Sequence, residues 1–260
     1  MDFLTAIILG IIQGITEWLP ISSSAMVTLA GKLIFNFNYS EALGNAIWLH
    51  GGTSLAAIIY FRNEIINLFK SIYKKDRSKD LLVFLSITTL FSFIIAGILS
   101  LFLFSIHIPE VIFTLFIGFF LLIIAFLHKN RKESKIEEAL TKTKATVVGV
   151  LQGVSVLPGI SRSGVTVSVL LIQNFSLKSS FKLSFLMSIP ATLGASIFLP
   201  LLKQDFVITG PLVLGGIVAF ITGLLTIRML MTFAEKVNFY KATFILGLVV
   251  VLLGLFQLFF

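Results

Sequence analysis

Leu9-Gly-Ile-Ile-Gln-Gly-Ile-Thr-Glu-Trp-Leu-Pro-Ile-Ser-Ser-Ser-Ala-Met26 interrupts an apolar N-terminus with a glutamate, a proline and three consecutive serines. The run before it, Phe3 to Ile12, is far shorter than the roughly 20 apolar residues that a membrane-spanning helix needs. A carboxylate followed by a proline break is tolerated at membrane depth only where the backbone is buried in protein or lines a water-filled cavity. The stretch therefore predicts a helix, a break and a second helix that enter a bilayer and return, with Glu17 at the break. An intramembrane carboxylate is a functional candidate by default.

The pattern recurs without a gap at Val148 to Val165, VGVLQGVSVLPGISRSGV. Gln13-Gly14-Ile15-Thr16 lies over Gln152-Gly153-Val154-Ser155, and Ser22-Ser23-Ser24 over Ser161-Arg162-Ser163. The chain reads as a duplication whose copies have diverged at the chemically important places. Glu17 faces Val156, and Arg162 faces Ser23, so one half brings a carboxylate and the other a guanidinium.

Composition agrees with a bilayer setting. Of 260 residues, 57% are hydrophobic and only 12% charged, and the mean hydropathy is +1.04. Such a chain is a polytopic helical membrane protein. In a soluble protein a net charge of +8 would suggest nucleic acid. Here the basic residues sit in short loops, which marks membrane orientation, and nucleic acid is not an expected partner. The absence of cysteine excludes disulfides, thiolate catalysis and Cys-ligated metals. With Asp2 and no basic n-region, the N-terminus does not read as a cleaved signal peptide.

Taken in order, a first hairpin (about 2–18 and 22–35) precedes spans at Glu41–Phe61, Leu81–Phe104 and Val111–Leu127. A basic loop follows the first of these spans over 62–79, and Ser105 to Pro109 turns the next two. Residues 129–144 read as a cytoplasmic linker. A second hairpin over 145–174 is followed by spans near Leu183–Leu202, Val207–Phe233 and Phe239–Phe259. The expected fold is thus an all-α polytopic membrane protein with six transmembrane helices and two re-entrant helical hairpins. Residues 1–128 form the first repeat and 145–260 the second. If each hairpin returns to the side it entered, 17 of the 20 lysines and arginines fall on one side. Only Lys32 and Lys203 fall on the other, and Arg162 lies in the second hairpin. The crowded side is cytoplasmic by the positive-inside rule, which puts both termini outside. Three spans between the hairpins invert the second repeat, and inverted repeats with broken helices place a site near the midplane.

At each break the second half-helix opens with serines, so free N–H groups and the positive end of a helix dipole meet there. That suits an anion. Arg162 adds a planar fork matched to phosphate oxygens. Ser22, Ser24, Ser161, Ser163 and Thr166 add hydroxyls, although serines after a proline also serve as plain N-caps. Glu17 repels an anion; it would hold a divalent cation bridging phosphate oxygens or act as a general base on a serine or water. The alternative is a structural ion pair with Arg162, although such residues are mostly functional. His50, inside a span, is either a packed, hydrogen-bonded histidine or a site residue. His107 and His128 read as interfacial, and Trp18 and Trp48 as packing or interface anchors.

The two motifs, Gln13-Gly-Ile-Thr-Glu17-Trp-Leu-Pro-Ile-Ser-Ser and Pro158-Gly-Ile-Ser-Arg162-Ser-Gly-Val-Thr166, resemble those of the undecaprenyl-diphosphate phosphatase family of the bacitracin-resistance type. The likeness extends to Leu49–Ala56, Tyr60–Arg62 and Ser184–Pro190. It implies a plasma-membrane hydrolase that removes the terminal phosphate of a polyprenyl diphosphate, so that the lipid carrier is reused in cell-wall synthesis. A divalent cation, magnesium or calcium, is implied as cofactor, and a homodimer is admissible. By motif position Gln13 and Glu17 take the metal-associated roles, Ser23 is the motif serine and Arg162 the phosphate clamp. One departure stands out. The family's first motif continues Ser-Ser-Thr-Gly-His, and here Met26 occupies the histidine position, where a thioether can neither attack phosphorus nor carry a proton. Three accounts stay open. Ser23 activated by Glu17 does the chemistry, His50 substitutes, or hydrolysis is weak and the chain is a polyprenyl-phosphate translocase or carrier.

Overall fold

In the computed structural model, residues 1–72, 77–102, 110–127, 129, 138–157, 160–202, 206–236 and 238–257 are described, and they are all-helical. The first hairpin is α1 (Phe3–Thr16) and α2 (Ser23–Leu33). The first half continues with α3 (Tyr39–Tyr60), α4 (Arg62–Ser71), α5 (Arg77–Phe102) and α6 (Glu110–Leu127). The second hairpin is α7 (Lys142–Val154) and α8 (Arg162–Ile172), followed by α9 (Leu177–Leu202), α10 (Gly210–Lys236) and α11 (Phe239–Gln257).

Local chemistry sets the half-helices. Asp2 caps α1 by accepting from the Thr5 N–H at 2.8 Å, and Thr141 caps α7 through the Lys144 N–H at 3.3 Å. After each break the chain restarts under a serine cap. Ser22 accepts from the Ala25 N–H at 3.3 Å and Ser161 from the Gly164 N–H at 3.0 Å, satisfying donors that a new helix leaves open. Asn36 and Asn174, at φ 56° and 70°, turn the chain beyond α2 and α8 in the left-handed region that asparagine tolerates.

The two halves interlock. α1 packs on α10 and α7 on α5, while α3 faces α9 and α6 faces α11. Small residues permit the two cross-contacts. A Cβ on Gly10 would lie 2.5 Å from the Gly215 carbonyl oxygen, and one on Gly149, its partner in the repeat, 2.6 Å from that of Thr88. Close backbone approach of this kind is how helices associate where lipid removes the hydrophobic drive. Behind the first break, Trp18 is buried edge-on against Phe185 at 5.0 Å, in a cluster with Phe61, Leu121 and Phe181. Trp48 is an anchor too, its Nε1 donating to the Leu212 carbonyl at 3.2 Å.

The ends of the bundle sort cleanly. Met1, Asn38, Ser40, Phe206 and Thr209 line one shared pocket. At the opposite end Asn63, Ser78, Glu138 and Ser179 line another, Lys182 pairs with Glu64 at 3.1 Å, Lys144 stacks over Phe175 and Lys178 pairs with Glu235. Hence α1 and α2 start and finish at one end, and α7 and α8 at the other. Tyr39–Tyr60, Ser78–Ser100, Leu177–Phe198 and Gly210–Lys236 are long and apolar enough to cross a membrane. With Phe116, Phe119, Ile123, Phe126, Leu225 and Met229 all exposed, the chain is a multi-pass helical membrane protein.

Several boundaries differ from expectation. The basic loop at 62–79 is not all loop: α4 occupies its first part, presenting Ile66, Phe69 and Ile72 on an exposed stripe that short-range helical spacing explains better than a linker. The second hairpin begins at Lys142, inside the expected linker, because Thr141 supplies a cap. α5 and α9 start before the expected Leu81 and Leu183; in α9 the added turn carries Lys178 and Lys182, which pair with Glu235 and Glu64. The Ser105–Pro109 turn with His107, most of the linker, His128, Lys203 and Pro158-Gly159 lie outside the described residues.

Candidate functional site

The tips of the two hairpins meet inside the bundle. Ser163 Oγ donates to the Leu19 carbonyl at 2.5 Å, and Gly164 faces the Pro20 carbonyl so closely that a Cβ would sit 3.1 Å from it. This docking brings Glu17, the C-cap of α1, against Arg162, the first residue of α8. Glu17 is only 4% exposed. Its Oε1 accepts from Arg162 Nη2. Its Oε2 accepts from Ser23 Oγ at 2.7 Å and from Gln13 Nε2 at 2.8 Å, and lies 3.3 Å from His50 Nε2. An isolated buried carboxylate costs several kcal/mol to desolvate; here a guanidinium, an imidazole and two neutral donors offset it.

His50 reaches the carboxylate from α3. Its Nδ1 lies 2.7 Å from the Ala46 carbonyl oxygen, an acceptor only, so Nδ1 carries the hydrogen and donates. Nε2, turned to Glu17, is then the nitrogen that takes or gives a proton. The sequence left His50 between core and site, and the structure places it at the site.

The serines divide. Ser23 is the hydroxyl on Glu17. Ser22 and Ser161 are N-caps whose oxygens are engaged with backbone N–H groups, and they also sit beside Ser24 and Ser163 respectively. Ser22, Ser24, Ser161 and Ser163 line the cavity, although the Ser163 hydroxyl is committed to Leu19. Thr166, expected among the phosphate ligands, is off the cavity and fully buried. One turn into α8, it packs on α9, 2.6 Å from Ser184 Oγ and 2.9 Å from the Arg162 carbonyl.

The cavity, about 500 Å³, lies between the breaks and the halves of α3, α5 and α9 that lead to the Met1 end. Glu17, Ser23, His50 and Arg162 line it together with Ser92, Gln152 and Ser155, three residues that the sequence does not single out for a role. Leu43, Ile47, Phe93 and Phe198 form apolar walls. Arg162 Nη1 is buried without a partner. The arrangement can therefore bind an anion through a free guanidinium edge and two helix N-termini, while a serine hydroxyl is held against a carboxylate base.

The donor set does not fit a cation held by the protein alone. Among the described residues Glu17 is the one carboxylate lining the cavity, and both its oxygens already accept hydrogen bonds. Gln13 is fully buried, does not line the cavity and spends its amide N–H on Glu17. No group of three His, Cys, Asp or Glu side chains gathers elsewhere among the described residues. Met26, at the position where the resembled motif has histidine, packs on the Trp18 cluster and is likewise off the cavity.

The profile of the family described as "Bacitracin resistance protein BacA" matches residues 6–255. The chain belongs to that family. Among its relatives, the undecaprenyl-diphosphatase of Methanococcoides burtonii is 38% identical over 256 residues, 95% of this chain and 96% of the relative. That of Methanococcus vannielii is 38% identical over 241 residues, covering 90% and 93%. That of Haloarcula marismortui is 34% identical over 260 residues, covering 94% of each. The family match spans both hairpins, and the two stretches quoted above lie at their meeting tips. Nothing in these relatives favours the translocase or carrier alternative, which is set aside.

Proposed function

We propose that the protein hydrolyses a polyprenyl diphosphate of the undecaprenyl type to the monophosphate and inorganic phosphate. The observation that carries this reading is Ser23 Oγ hydrogen-bonded to Glu17 Oε2 at 2.7 Å in a cavity lined by a guanidinium with a free edge. The diphosphate sits on the N-termini of α2 and α8 and draws Arg162 toward its oxygens. Ser23 Oγ attacks the terminal phosphorus while its proton passes to Glu17. The bond to the bridging oxygen breaks, the polyprenyl monophosphate leaves, and water hydrolyses the phosphoserine, returning the serine proton. Between the two steps His50 Nε2 takes the proton from Glu17 and passes it to an oxygen of the departing monophosphate, so that Glu17 is ionised again to accept a proton from the attacking water and deliver it to the leaving Ser23 oxygen.

A divalent cation would arrive with the substrate, since the cavity offers only Glu17 as a carboxylate, and would supply neutralisation of phosphate charge. The decisive experiment measures phosphate release from a polyprenyl diphosphate in detergent, with and without chelator. Release is expected, with chelation suppressing it reversibly. The melting temperature of the substrate-free protein is expected to be unmoved by chelator. No release from the untreated protein would overturn the assignment, and a chelator-induced fall in melting temperature would instead show a resident ion.

In the bilayer, the proposed arrangement is six spans with α1–α2 and α7–α8 as re-entrant hairpins from opposite faces, relating residues 1–128 to 145–260 as inverted repeats across the 129–144 linker. The interlocked packing of α1 on α10 and α7 on α5 supports it. Arg62, Lys70, Lys144, Lys178 and Lys182 gather at one end, which by the positive-inside rule is cytoplasmic. Both termini, and the cavity mouth, then face outward from the plasma membrane. An impermeant thiol reagent on intact cells is expected to label Thr209→Cys and not Lys70→Cys, with no background because the chain has no cysteine. The reverse pattern would invert the topology.

A further inference from the structure

The mechanism above uses the α2 side of the cavity and leaves its other wall unexplained. There, Gln152 on α7 is 3% exposed and Ser92 on α5 is 5% exposed. Both line the same cavity as Arg162. Gln152 Nε2 lies 3.1 Å from Ser92 Oγ, while Gln152 Oε1 is buried with no partner. An unsatisfied buried amide oxygen is costly. Which end of an amide faces a hydroxyl depends on what else it binds. Turned through 180°, the amide accepts from the Ser92 hydroxyl and presents its NH₂ as a free donor, in the cavity that Arg162, with its own unpartnered Nη1, also lines.

Gln13 and Gln152 occupy the same place in the two copies, and the difference between them is instructive. Gln13 is held by Glu17, so its NH₂ is committed. Across from Gln152 stands Val156 where the first copy has Glu17, so nothing anionic in the protein claims the second amide. A ligand anion can.

The apolar surroundings give that anion a direction. α5 and α9 are joined through the buried cluster around Phe84, Leu183 and Met187, and the cavity lies further along them toward Ala96 and Ala195. Its wall there is made of small residues, and a Cβ on Gly194 would meet nothing within 4 Å. Phe93 and Phe198, which line the cavity here, are also 52% and 58% exposed. This exposed apolar side of the cavity, formed by α5 and α9, is the one on which a lipid chain would lie.

We propose that Gln152, held by Ser92, forms a separate subsite for the ester-linked phosphate of the substrate, the phosphate that carries the lipid and is not cleaved. The terminal phosphate then lies at Ser23 and Glu17, with Arg162 between the two. This rests on the hydrolytic reading above and adds the polarity of the bound diphosphate. It makes Gln152 a binding residue that distinguishes a diphosphate lipid from a phosphate group alone.

The test uses Gln152→Glu and Gln152→Met in the full-length protein. Glutamate still accepts from Ser92 but sets a charge against the phosphate, and methionine removes the donor at similar volume. For polyprenyl diphosphate, KM is expected to rise about 10-fold or more for the methionine variant and further for the glutamate variant. kcat is expected to stay within about threefold, and the inhibition constant of polyprenyl monophosphate should rise in parallel, because that product keeps the ester phosphate. Melting temperatures near the parent's accompany this pattern. Unchanged KM in both variants, or a loss confined to kcat, would overturn the subsite. A parent protein without phosphate release would instead remove the hydrolytic reading itself, and the two failures are thereby told apart.

Discussion

Glu17→Gln is expected to lower turnover at least about 10³-fold and to destabilise the protein by about 1–3 kcal/mol. The geometry requires both effects. Ser23, Gln13, Arg162 and His50 all turn toward this carboxylate, and an amide offers one acceptor atom where the carboxylate offers two. One oxygen becomes an NH₂ facing donors, so at least one buried donor loses its partner while the Arg162 charge loses its counter-ion. Removing one member of a buried pair is more costly than the pair is worth. The measurement is phosphate release alongside thermal unfolding. A parent-like rate would remove Glu17 from the chemistry, and a lost rate at parent-like stability would show that the four donors find water instead.

How far the site could be read from residues alone follows from which signals are local. Both breaks were legible because a carboxylate, a guanidinium, proline and serine runs are conspicuous in apolar sequence, and the contact of Glu17 with Arg162 was one of the alternatives that the residues left open. Serine caps were legible for the same reason. The role of Thr166 was not, since a motif position does not say which way a helical side chain turns; one turn beyond Arg162 it faces α9. Ser92 was hidden in the apolar run of α5, and only the cross-packing of α7 on α5, permitted by Gly149 and Gly153, makes it a neighbour of Gln152. α4 was missed because basic residues dominated the reading of that loop. His50-Gly51-Gly52 mixes two functions that composition cannot separate. Gly52 lets α3 approach the Gly216 carbonyl, a packing device, while His50, two residues earlier and so on the other side of the helix, meets Glu17.

Ser23→Ala is expected to abolish phosphate release, a loss of at least about 10³-fold, and His50→Gln to cost about 10²-fold with a changed pH–rate profile. Ser23 is the only hydroxyl bonded to Glu17 among the described contacts, and its own helix N-terminus presents free N–H groups to the charge that develops on the transferred phosphoryl. Alanine leaves those groups and the carboxylate in place, so the variant isolates the nucleophile. Water activated by Glu17 could fill the space; a parent-like rate in Ser23→Ala would make that water the attacking group. His50 acts one step later. With Nδ1 donating to Ala46, its Nε2 is free to empty Glu17 of its proton, and glutamine at that position can hydrogen-bond but cannot carry charge. Its effect should therefore fall on kcat and on the shape of the pH profile more than on KM. Met26→His, which restores the family's usual residue, is expected to give no gain in rate, because position 26 packs on the Trp18 cluster and not on the cavity. A gain there would mean that the start of α2 turns during catalysis to bring that face to the phosphate. No gain, together with the His50→Gln loss, assigns the proton relay in this chain to α3.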